Sequence, residues 1–177
     1  MSEAPLVPGT VAEHTICLLT KIGQVAFRIA EDGLGNLGLR VRHYSVLQAL
    51  ADNGPMSQLA LGTFLRIDPA TMVTSLDDLE RAGYAVRERD ARDRRRYVVR
   101  STDDGREVLA GANRRLNSLD SDVLADLSAA DRKALHRMMN ELASGPTLPS
   151  MFDAVRDQAG ARKMQGAGSR VEPSGDS

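Results

Sequence analysis

Asp90-Ala91-Arg92-Asp93-Arg94-Arg95-Arg96 is the stretch on which the fold is decided. Tyr84-Ala85-Val86-Arg87-Glu88-Arg89 precedes it and Tyr97-Val98-Val99-Arg100 follows it. Both flanks carry the aromatic and β-branched residues that suit short strands, so the polar run between them reads as a hairpin tip. Gly83, just before the first strand, is the residue type that lets a helix stop in a left-handed turn. Seven arginines lie between Arg87 and Arg100, against Glu88, Asp90 and Asp93. An isolated arginine run reads as a solvated loop, salt-bridged to its own aspartates. Joined to a compact helical unit, the same run reads as a grip on a nucleic-acid backbone.

The segments upstream supply that unit. Ser57 is placed to cap a short helix over Gln58–Leu65, and a break follows at Arg66-Ile67. Asp68-Pro69 then opens another helix, with Asp at the cap and Pro at the first helical position. Met72, Leu76 and Leu79 form its inward stripe, which turns Pro69, Ala70, Thr71, Val73, Thr74 and Asp77 outward. Two short helices joined by a tight turn make a helix-turn-helix, and the hairpin adds a wing.

Further out, the pattern is helical on both sides. Apolar positions predict one helix from Val11 to about Ala30, with Gly33, Gly35, Asn36 and Gly38 as breakers, and a second from Arg42 to Ala51. A long helix starts near Ser101 or Thr102. Ser128, with Asp131 three residues on, caps another that stops at Gly145-Pro146. A short amphipathic helix is expected from Ser150 to about Lys163. The fold class is therefore mainly α with a small β-hairpin wing. Residues 1–10 are a flexible arm, 11–35 and 102–144 a helical dimerisation region, 40–101 the DNA-binding lobe, and 145–177 a partly helical tail. The first and last helices carry more apolar surface than so small a domain buries alone, which points to a homodimer in which they intertwine.

Bulk properties fit this reading. With 177 residues the chain suits one domain with tails, and 42% hydrophobic residues suffice for a core. The net charge is −1, so a DNA-binding surface has to come from uneven placement of charge. The single cysteine, Cys17, excludes an internal disulfide. There is no secretion signal and no apolar run near the ~20 residues that span a membrane, so no membrane partner is expected and a cytoplasmic location is. His14, His43 and His136 lack metal-ligand spacing, no phosphate loop or nucleophile–base pattern is present, and neither a metal, a cofactor nor enzymatic activity is expected.

Three segments, in this order and spacing, resemble the MarR family of transcriptional regulators across about residues 11–144. They are Gly54-Pro55-Met56-Ser57-Gln58 leading to Leu61–Ile67, then Leu76-Asp77-Asp78-Leu79-Glu80-Arg81-Ala82-Gly83-Tyr84, then Asp90–Arg96 followed by Ser101-Thr102-Asp103-Asp104-Gly105-Arg106. The resemblance implies a dimeric cytoplasmic regulator, commonly a repressor, on a palindromic operator of double-stranded DNA. In many members a small phenolic, a hydrophobic ligand or an oxidant releases the DNA. The family's wing motif, Asp–any–Arg, falls on Asp93 and Arg95. The resemblance thus puts Arg95 in the minor groove, with Asp93 orienting it. Arg92, Arg94 and Arg96 would meet phosphates, and Ser57, Gln58, Pro69, Ala70, Thr71, Val73 and Thr74 would complete the DNA surface. An arginine often stands where this chain has Thr74, so the helix centre offers no bidentate arginine–guanine pair, and threonine and alanine offer thymine-methyl contacts instead.

The resemblance further implies an effector cleft, for which Phe27, Arg28, His43 and Tyr44 are the candidates. The competing reading makes Phe27 and Tyr44 core and Arg28 surface. Cys17 falls near the reactive cysteine of the family's peroxide-sensing branch. The supporting tyrosines are absent, however, and a free cysteine on an apolar stripe behaves as a small hydrophobe. Besides the DNA-binding regulator, two alternatives stand: a winged-helix protein-interaction module without DNA binding, and an oxidant-sensing regulator built on Cys17.

Overall fold

The computed structural model describes residues 5–90 and 93–168. Its elements are α1 (Gly9–Ala12), α2 (Thr15–Gly35), α3 (Val41–Asn53), α4 (Gln58–Leu65), α5 (Pro69–Arg81), β1 (Ala85–Arg89), β2 (Tyr97–Ser101), α6 (Asp103–Val123), α7 (Ala129–Ser144) and α8 (Thr147–Gly168). The chain divides between Val123 and Leu124 into two compact units.

The first unit holds the core. Leu34 and Leu39 from the α2–α3 region meet Val46, Leu47 and Leu50 of α3, Leu61 of α4, and Met72, Leu76 and Leu79 of α5. Ala85, Val99, Leu109 and Ala112 close it from the hairpin and α6. The inward stripe of α5 is the one its helical spacing predicts, because positions four and three apart share a face. Asp68 Oδ1 accepts the Thr71 N–H at 3.0 Å and Ser57 Oγ accepts the Ala60 N–H at 3.1 Å, so the expected caps start α5 and α4. The Thr71 hydrogen bond holds the Asp68 carboxyl below its ordinary range. Replacing Asp68 with alanine removes the cap and should lower the stability of the unit, as read by an earlier urea denaturation midpoint at fixed protein concentration.

The glycine-rich segment differs from the sequence expectation. The first helix is interrupted at Glu13–His14, then continues through Gly33 to Gly35. A side chain at Gly33 would stand 2.6 Å from Leu119 Cδ1. That glycine gives α6 room against α2 and does not end the helix. The break comes at Gly38, whose φ of +70 is the left-handed conformation that glycine adopts freely.

β1 and β2 pair antiparallel, with Arg87 opposite Val99 and Arg89 opposite Tyr97. Met56 adds a third rung on the far edge of β2: its N–H donates to the Val99 carbonyl at 3.1 Å and its carbonyl accepts the Val99 N–H at 2.7 Å. The base of the hairpin is thereby tied to the loop that enters α4.

The second unit contains α7, capped by Ser128 Oγ on the Asp131 N–H, and α8, which begins earlier and runs longer than predicted. Met138, Met139 and Leu142 of α7 and Leu148, Met151, Phe152 and Val155 of α8 are exposed. So are Ile16, Ile22 and Phe27 of α2. These apolar side chains of the terminal helices are left uncovered in the single chain.

Candidate nucleic-acid interface

Helices α4 and α5 meet through a turn in which Arg66 takes the left-handed conformation, φ 53, and the Ile67 N–H donates to the Gly62 carbonyl at 3.0 Å. On α5, Pro69, Ala70, Val73, Thr74 and Asp77 are exposed and Thr71 is half-buried. The hydroxyl of Thr74 donates to the Ala70 carbonyl at 3.1 Å. Its proton is thus committed within the helix, which leaves a methyl group and oxygen lone pairs facing outward. Gln58 and Ser57, at the start of α4, are half-buried, and the Ser57 oxygen is engaged as the cap. Arg66 is exposed at the turn and adds a cation that the sequence reading of α5 does not include. Its signal in the sequence is a basic residue between two capped helices.

Partnering divides the arginines of the hairpin into two groups. Arg87 Nη1 stands 2.8 Å from Asp77 Oδ1 and also contacts Glu80 Oε2. Arg89 donates to the Arg94 carbonyl at 2.7 Å and lies over the Tyr97 ring, 5.3 Å from its centroid. Arg100 pairs with Glu88 at 3.0 Å. Arg94, Arg95 and Arg96 are exposed, and their guanidinium groups make no ion pair among the described residues. Arg92, the remaining predicted clamp, lies outside the described residues. The tip carries the available positive charge, while Arg87 and Arg100 of the strands are neutralised by internal carboxylates.

Asp93 does not act on the Arg95 guanidinium. Its Oδ1 accepts the Arg95 backbone N–H at 3.0 Å, and its carbonyl accepts the Arg96 N–H at 2.9 Å. An aspartate that binds the backbone two residues on builds a turn. Asp93 therefore sets where the chain bends and leaves the Arg95 side chain outward.

The acidic residues of α5 are neutralised locally. Asp77 meets Arg87. Asp78 pairs with Arg81 at 2.9 Å and with Arg42 at 3.1 Å, and these bonds hold its carboxyl below the ordinary range. His43 is buried beside it, with Nε2 3.4 Å from Asp78 Oδ2 and Nδ1 accepting the Arg40 N–H at 3.3 Å. Burial is the largest influence on His43 and lowers its pKa; Arg42 and Arg40 act in the same direction and Asp78 opposes them. The unfolded chain therefore binds a proton at a pH where the folded chain does not. Stability should be full above the ordinary histidine value of 6.5 and fall as the pH drops below it. Thermal denaturation across pH, compared with His43→Gln, checks this: the variant should lack the first part of the acid loss, and an identical acid limb would refute the assignment.

The four candidate effector residues make different contacts. Phe27 and Arg28 line a groove on α2 with Gly23 and Gln24. His43 is held by Arg40 and Asp78. The Tyr44 hydroxyl donates to Asn113 Oδ1 at 2.9 Å, and Asn113 in turn donates to Gln48, which ties α3 to α6. Cys17 is a half-buried free thiol. No group of three or more His, Cys, Asp or Glu among the described residues is placed to hold a metal ion. None of the described helices is long and apolar enough to cross a membrane.

Comparison with known proteins fits this geometry. The family model described as the MarR family matches residues 37–96, which hold α3, the helix-turn-helix and the wing tip. A Thauera aromatica protein named for regulation of the hcr operon is 34% identical over 140 residues, covering 78% of this chain and 84% of that protein. The chain belongs to the MarR family. Transcriptional regulator HosA of Escherichia coli is 33% identical over 99 residues, covering 56% of this chain and 73% of HosA. Among solved structures, the transcriptional repressor CouR bound to a 23-mer DNA duplex superposes with a TM-score of 0.70 at 28% identity, covering 79% of this chain and 99% of that one. The MarR-family chain is thus a DNA-binding transcriptional regulator with a winged-helix fold, and its relatives are regulators, not enzymes.

Proposed function

We propose that this MarR-family protein is a homodimeric repressor of a palindromic operator, with α5 in the major groove and the wing tip in the adjacent minor groove. The observation that carries the reading is the trio Arg94, Arg95 and Arg96, exposed and without carboxylate partners among the described residues, on a hairpin where Arg87 and Arg100 are internally paired. Arg95 enters the minor groove, where a narrow A·T tract concentrates negative potential. Arg94, Arg96 and Arg92 meet phosphates. On α5, Pro69, Ala70, Thr71, Val73 and Thr74 present methyl and methylene groups, so readout there runs through thymine methyls and shape. Ser57 and Gln58 meet the backbone at the start of α4.

The exposed apolar residues of α2 and α7 are covered by the second protomer, so that residues 11–35 and 102–144 form the dimerisation region and 40–101 the DNA-binding lobe. A protein of these dimensions leaves such stripes open only when something packs on them. An aromatic or acidic small molecule acts as the releasing effector at Phe27 and Arg28, whose ring and guanidinium suit an apolar anion. Selection of bound fragments from genomic DNA tests the core of this reading: it should recover a fragment with inverted half-sites one helical turn apart. Recovery of no sequence above random DNA would refute it.

A further inference from the structure

The Arg87–Val99 rung is the one place among the described residues where the wing is fastened on both edges. On the β2 side, Met56 exchanges both backbone hydrogen bonds with Val99. Val99 is turned outward for that exchange, so its partner Arg87 points its own N–H away from β2. Glu80, in the last turn of α5, fills that open edge: its Oε1 accepts the Arg87 N–H at 2.7 Å while its Oε2 meets the Arg87 guanidinium. Asp77, one turn earlier on α5, takes the same guanidinium at 2.8 Å. The Arg87 side chain is 25% exposed, whereas the three tip arginines lie open to solvent.

We propose that Arg87 is a positioning residue that fixes the wing on α5 and touches no phosphate. The proposal rests on the reading of α5 and the wing tip as one DNA surface. A two-stranded hairpin is marginal by itself and needs external anchors. Strands rise about 3.4 Å per residue, so Asp90 lies about 10 Å beyond the rung, and a tilt of about 10° at Arg87 displaces it by about 2 Å. That displacement is enough to break a hydrogen-bonded contact, and the tip moves further still. Arg87 and Glu80 thus set the distance between the two reading elements, although neither contributes free charge toward DNA.

The test uses the full chain, an operator fragment recovered by genomic selection and a random duplex, with affinity measured across a salt series. Arg87→Met should bind the operator about tenfold more weakly, the scale of a misplaced charged hydrogen bond, with an unchanged salt slope. Its affinity for the random duplex should match wild type. Arg94→Met, which removes a proposed phosphate contact, should instead flatten the slope by about 0.9 for each phosphate left without its cation. Glu80→Gln provides a sign test. Removing an anion near DNA should tighten binding on Coulombic grounds alone; loss of the Arg87 anchor should weaken it. If Arg87→Met does not fold by circular dichroism, Glu80→Gln decides the matter alone. A flattened slope in Arg87→Met, tighter binding by Glu80→Gln, or wild-type affinity in both would overturn the proposal. Arg95→Ala, run in parallel, separates this from failure of the DNA reading: wild-type binding there sinks the wing model itself, whereas weakened binding leaves that model standing whatever Arg87 does.

Discussion

Arg95→Ala should lower operator affinity roughly a hundredfold, because each of two protomers forgoes an arginine–DNA contact of about 1–3 kcal/mol. Stability should stay within about 0.5 kcal/mol of wild type, since the side chain is exposed and makes no ion pair among the described residues. Arg95→Lys should recover only part of the affinity: a planar guanidinium, weakly hydrated, suits a narrow groove better than a compact ammonium. Fluorescence anisotropy on an operator fragment at matched salt reads all three proteins. Equal affinity for Arg95→Ala and wild type would leave the wing without its assigned role. Asp93 differs in kind. It acts on the turn backbone, so its removal should loosen the tip as a whole and weaken every arginine contact moderately.

The second large effect is structural. Gly105→Ala should destabilise the first unit by about 3 kcal/mol, the upper range for forced overpacking. An added methyl at residue 105 would stand 2.0 Å from the Tyr84 carbonyl oxygen and 2.7 Å from Ser101 Oγ. The first of these is backbone and is held in place: the Tyr84 carbonyl accepts the Thr102 N–H at 3.1 Å. Thr102 Oγ1 donates to the Gly83 carbonyl at 2.7 Å and accepts the Gly105 N–H at 3.0 Å. The start of α6 is therefore pressed onto the turn between α5 and β1, and the methyl cannot enter unless that junction opens. Gly33→Ala meets side-chain atoms alone, Leu119 Cδ1 at 2.6 Å and Arg115 Nε at 3.3 Å, both on side chains that can shift, and should cost less, with alanine's better helix propensity offsetting part of it. Urea denaturation of the three proteins at one concentration checks the order, and a Gly105→Ala midpoint equal to wild type would contradict it.

Much of the fold is legible in the sequence because the signals are local. Ser57, Asp68-Pro69 and Ser128 announce three helix starts, and their side chains make the expected caps. Gly83 announces the end of α5, and it does adopt a positive φ of 77. The inward stripe Met72, Leu76 and Leu79 follows from helical spacing alone. What is not legible depends on contacts distant in sequence. Gly33 reads as a breaker until α6 is placed against it. His43 reads as a cleft residue until Asp78 of α5 comes within 3.4 Å of its ring. The arginine run reads as uniform positive charge until strand register assigns Arg87 to Asp77 and Glu80, and Arg100 to Glu88. Counting arginines locates the wing; only the pairing identifies which of them are available to DNA.

The neutral outer face of α5 gives this division its weight. Residues Pro69 to Glu80 hold no lysine or arginine, so on the proposed reading most of the attraction for DNA comes from outside α5, chiefly from the wing tip. Hydroxyl-radical footprinting of the selected operator fragment, with wild type and Arg95→Ala side by side, tests this most directly. The expected result is minor-groove protection flanking each half-site in the wild type that disappears in Arg95→Ala, while the remaining footprint persists at raised protein concentration. Flanking protection that survives the substitution, or a wild-type footprint with none, would contradict the role assigned to the wing.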